Sequence, residues 1–102
     1  MIQVNGEFLD GFSPRSHPCE VEIYSSELVL KFPDGTISRW RAIHLLSTTV
    51  SNDKIRLSLQ GTETRVNNPV LTIPDRPEIQ QALGVFRGEP NISVSIPFKI
   101  LL

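Results

Sequence analysis

The chain has 102 residues, room for one domain, since single cores organise roughly 100 to 200 residues. Ten basic residues against eleven acidic leave a formal charge of −1, which removes the electrostatic basis for non-specific nucleic-acid binding, so no nucleic-acid partner is expected. The single cysteine, Cys19, cannot close an intramolecular disulfide and points to no oxidising compartment. The start, Met1-Ile2-Gln3-Val4-Asn5, carries neither a basic cluster nor a long apolar core, so no signal peptide is expected. Apolar runs such as Ile100-Leu101-Leu102 fall far short of the roughly 20 residues of a spanning helix. The reading is a cytoplasmic domain.

Residues 4–9 form a weak strand candidate, interrupted by Asn5-Gly6. Cys19, Val21 and Ile23 alternate with Glu20, Glu22 and Tyr24, and after Ser25-Ser26 the apolar face resumes at Leu28, Leu30 and Phe32; this predicts a hairpin. Pro33-Asp34-Gly35 supplies a turn and residues 36–41 extend again, completing a three-stranded meander. Residues 44–50 are rich in β-branched side chains and end at Ser51-Asn52-Asp53, another turn signal. The clearest alternation is at 54–60, with Ile55, Leu57 and Leu59 on one face. Asn67-Asn68-Pro69 marks a loop before a short strand at 70–73, the seventh.

One helix is predicted at about 75–86, capped by Asp75, with Pro77 in its first turn and Glu78 at capping-box spacing. Ile79, Ala82, Leu83 and Phe86 share a face, and Gly84 suggests an end near there. A tail strand at about 91–98 follows from Ile92, Val94, Ile96 and Phe98, placed at an edge because Pro97 cannot donate to a ladder. Asn91-Ile92-Ser93 has the glycosylation pattern, which without a signal peptide is chance. The whole of 1–102 reads as one mainly β domain with a single helix near its C-terminal end.

Catalytic chemistry finds little purchase. A Cys19–His44 nucleophile pair is countered by the apolar face that Cys19 shares with Val21 and Ile23, which predicts a buried thiol. His17, Cys19 and His44 lack the paired short spacings of zinc sites. Glu20 and Glu22 share one strand face and read as a solvated surface rather than an acid/base dyad. The glycines are scattered, so no phosphate loop forms. No catalytic residue, metal or cofactor is expected.

Ser38-Arg39-Trp40-Arg41 admits two readings: cations flanking an aromatic ring that grips an anionic partner, or Trp40 in the core with both arginines solvated. Strand alternation favours the second. Arg15, Lys31, Arg39 and Arg41 are the candidate interaction surface.

Phe8-Leu9-Asp10-Gly11, residues 13–18, the Asp34-Gly35 turn, Arg39-Trp40 and residues 71–75 occur in an order that resembles the N-terminal, non-peptidase domain of bacterial membrane zinc metallopeptidases of the HtpX and CAAX-prenyl-endopeptidase kind. The likeness spans about residues 6–83. It implies a pleckstrin-homology-like barrel or sandwich, in which seven strands form two packed sheets and one helix closes an end. The family's His-Glu-x-x-His motif and membrane helices have no counterpart in these 102 residues, so no catalytic residue carries over. The expectation is therefore a non-catalytic accessory domain at the membrane face, whose partner is a protein or the rest of a longer membrane protein. The apolar finish also admits a homodimer through the tail strand. The alternatives are a lipid-headgroup module using the four cations and a small cysteine/histidine hydrolase.

Overall fold

A computed structural model of the protein describes residues 1–61 and 67–88. The tail strand, with the homodimer contact assigned to it, lies outside the described residues. Seven strands form: β1 (Ile2–Leu9), β2 (Ser16–Ile23), β3 (Leu28–Lys31), β4 (Ile37–Trp40), β5 (Leu45–Ser51), β6 (Lys54–Leu59) and β7 (Val70–Pro74); one helix follows, α1 (Pro77–Phe86). All neighbouring strands are antiparallel, in the order β4-β3-β2-β1-β7-β6-β5. The result is one continuous sheet curled into a half-barrel, not two separate sheets.

The core lies on the inner face. The register sets Val4 opposite Val21, Ile23 opposite Leu28 and Leu28 opposite Trp40, while Ile55 faces Ile73 and Leu57 faces Leu71; all are buried. The alternation read from sequence at 54–60 is thus the alternation of burial, because successive strand side chains point to opposite faces.

β1 runs unbroken through Asn5-Gly6. A Cβ at Gly6 would stand 2.9 Å from both Ile73 Cγ2 and the Thr72 carbonyl oxygen, so glycine serves close strand approach here rather than a turn. β2 begins at Ser16 and includes Pro18. β3 reaches only as far as Lys31, opposite Glu20, which leaves Pro18 on an open flank where its missing N–H costs no ladder bond.

The hairpin turns fall where expected. Gly35 adopts φ +91° and donates to the Phe32 carbonyl at 2.9 Å. Asn52 and Asp53 both have positive φ, 52° and 62°, as a two-residue type I′ turn requires. Between β4 and β5 the backbone makes a 3₁₀ turn at Ala42–His44, so β5 starts one residue later than the sequence pattern suggests.

The helix start differs from expectation. Its cap is Arg76, in an extended conformation with φ −134° and ψ 151°, because the residue before a proline is driven out of the helical region. Asp75 instead accepts a hydrogen bond from Gln80 Nε2 at 3.0 Å. The helix continues through Gly84 to Phe86, burying Ile79, Leu83 and Phe86, with Ala82 partly buried against the same core.

Candidate functional site

On the open flank beside Pro18 the sheet leaves a groove of about 510 Å³. Its floor is aromatic. Phe8 is buried, lies 5.7 Å from Phe32 ring to ring at an angle of 59°, and is backed by Trp40 at 6.2 Å. Pro18, Pro33 and Ser38 continue the lining.

The rim is polar. His17 sits opposite Phe8 in the β1–β2 register and its Nε2 is 3.5 Å from Asp10 Oδ2. The other Asp10 oxygen accepts backbone N–H bonds from Phe12 (2.8 Å) and Ser13 (3.3 Å), a local turn that fixes the carboxylate. Asp34 accepts the Thr36 N–H at 2.8 Å. Hydrogen bonds from the Thr36 side chain and backbone, helped by the charge of His17, hold its carboxyl below the usual range. Two carboxylates thus flank one imidazole above an apolar floor, an arrangement that favours a cation bearing or adjoining apolar surface.

Of the four cations singled out in sequence, Lys31 and Arg39 share one face and both act on Glu22, but each is held by a carboxylate. Lys31 Nζ lies 2.9 Å from Glu22 Oε2 and Arg39 Nη1 lies 2.9 Å from Glu27 Oε2, both on the outer face of the β2–β4 meander. Arg41 precedes the 3₁₀ turn, and its backbone N–H donates to His44 Nδ1 at 3.1 Å. Arg15 stands before the far end of β2, five residues and about 16 Å of strand from Glu20, the neighbour of Lys31. A phosphate would have to draw Lys31 and Arg39 away from their carboxylates.

Glu22 corrects the reading of Glu20 and Glu22 as a solvated pair. It is 7% exposed, because Lys31 and the Tyr24 hydroxyl, 2.8 Å from Oε1, close over it from the same face. Trp40 is buried as expected. Cys19 is buried too, and burial, helped by the charge of Glu7, pushes its thiol up to about 11. His44 stacks edge-on against Trp40 at 5.8 Å. Among the described residues no group of three or more His, Cys, Asp or Glu is placed to hold a metal ion, and no helix is long and apolar enough to cross a membrane.

Sequence reasoning passed over the groove, although a signal was present. Phe8-Leu9-Asp10-Gly11 and Phe32-Pro33-Asp34-Gly35 repeat one pattern, Phe-x-Asp-Gly. Each copy ends a strand, supplies an aromatic ring to the floor and turns an aspartate onto the rim. No family model matches this chain, and no curated protein matches it either.

Proposed function

We propose that the chain is a non-catalytic interaction domain whose groove takes an extended peptide segment, with a large apolar side chain on the Phe8–Phe32 floor and a Lys or Arg between Asp10 and Asp34. The observation that carries this is the pairing of an aromatic floor with a doubly acidic rim. Seven antiparallel strands followed by one helix are in keeping with a pleckstrin-homology-like build; the further role of an accessory domain to a membrane zinc metallopeptidase rests on the sequence resemblance alone.

Selection from a random peptide library with the full chain tests the groove. Peptides carrying a basic residue within two positions of a large apolar one should be enriched. The double substitution Asp10→Asn/Asp34→Asn should weaken them at least about tenfold, the loss of about 1.4 kcal/mol. Enrichment without basic residues, or binding indifferent to the double substitution, overturns the assignment. For the accessory role, a coding sequence that continues into a His-Glu-x-x-His helix flanked by apolar segments supports it; one that ends here, with no protease co-purifying, counts against it.

A further inference from the structure

We propose that β5 is a self-association edge at which two copies of this chain join their sheets about a twofold axis through Thr48. β5 closes one side of the strand order, and among the described residues nothing pairs with its outer flank. Natural edge strands are commonly blunted by charge, proline or brevity. β4, the opposite edge, has four residues and carries Arg39. β5 has seven, Leu45-Leu46-Ser47-Thr48-Thr49-Val50-Ser51, with no charge and no proline; its one irregularity, a register shift between Leu45 and Ser47, lies at its start and leaves Ser47–Ser51 regular. Of the seven large apolar side chains exposed among the described residues, three fall within 43–50: Ile43, Leu46 and Val50, at 80%, 52% and 49%.

The pattern is complementary to itself. Reversing the strand about Thr48 sets Ser47 of one copy against Thr49 of the other, twice, and brings each Val50 beside the other copy's Leu46, the residue at the register shift between Leu45 and Ser47. An uncharged strand meets its copy without like-charge repulsion. Backbone polarity agrees with this register. The two-residue turn at Asn52-Asp53 makes Ser51 and Lys54 the pair that exchanges hydrogen bonds. Alternation then turns the N–H and C=O groups of Val50 and Thr48 away from β6, toward the free edge. Thr48 facing Thr48 is therefore a position where both groups are available on both copies.

A strand pair alone buries less than the roughly 1,200 Å² of a standard interface, so association is concentration-dependent. Sedimentation equilibrium of the full chain over about 1 to 200 µM, a range that brackets weak association, should show the mass rising from 11.4 kDa toward about twice that. Val50→Lys should hold it at the monomer. Thr48→Cys should form an intermolecular disulfide under mild oxidation, because paired Cα atoms about 5.5 Å apart lie within disulfide range. Thr49→Cys, on the other face and opposite Ser47, should cross-link at least tenfold less. A monomer at every concentration, whether β5 amides exchange freely or are shielded by the chain's own residues 89–102, overturns the proposal. A dimer unchanged by Val50→Lys, or equal cross-linking at 48 and 49, overturns it as well.

Discussion

Glu22 Oε2 and Lys31 Nζ meet at 2.9 Å on the outer face of the sheet, and Glu22 is the one charged residue buried among those described. Hydrogen bonds from Lys31, then from Tyr24, hold the Glu22 carboxyl below its ordinary value of 4.5, and the same Glu22 bond raises Lys31 above 10.5. A lowered carboxyl stabilises the fold fully above its ordinary value, and that contribution is lost as pH falls through the folded one. A raised ammonium does the reverse, stabilising below 10.5 and losing this as pH rises. Thermal unfolding should therefore be level between about pH 5 and 8, fall on the acid side, and fall on the alkaline side first as the unfolded Cys19 thiol ionises above 9.0 and then as Lys31 loses its proton. Glu22→Gln should flatten the acid side, leaving the share due to Asp34; calorimetry across pH checks both limbs.

Gly6→Ala should destabilise the protein by about 1 to 3 kcal/mol, the range for overpacking. The new methyl would press on the Thr72 carbonyl oxygen, part of the backbone, which cannot swing aside like a side-chain tip. Urea titration should show a lower midpoint.

Asp53→Gly should stabilise the β5–β6 hairpin by about 0.5 to 1 kcal/mol, since Asp53 holds φ at 62° and glycine adopts that region at less steric cost. The Asp53 carbonyl would still accept the Asp75 N–H. The denaturation midpoint should rise with an unchanged slope.

Cys19 should be nearly inert to thiol reagents. A thiol at about 11 has a thiolate fraction at pH 7 of about one in ten thousand, some hundredfold below an ordinary cysteine, and only the thiolate attacks. Disulfide-exchange labelling should be slow in buffer and fast in denaturant; rapid labelling of the folded chain would contradict the burial.

The period-two pattern was legible because it is local: Ile55, Leu57 and Leu59 state their own burial, and Asn52-Asp53 its own turn. What could not be read was anything that depends on a neighbour distant in sequence. Gly6 looks like a strand break until Thr72 stands beside it, and Glu22 looks solvated until Lys31 folds over it. Asp75 has every mark of a cap, yet Pro77 imposes the extended conformation on Arg76 and so sets the boundary itself. The groove joins residues from 8 to 38, and only the repeated Phe-x-Asp-Gly spacing hinted that its two halves belong together.

β1 pairs with β2 over eight residues but with β7 only from Glu7 to Leu9. Three rungs thus join a four-stranded wing to a three-stranded one, with Gly6 at the end of the seam. Phe8 and Leu71, paired across it and both buried, act as the pin of this joint. The seam carries one rung fewer than the four of β2–β3 or β3–β4, and what the two wings share besides it is a single core, to which Phe8 and Leu71 both belong.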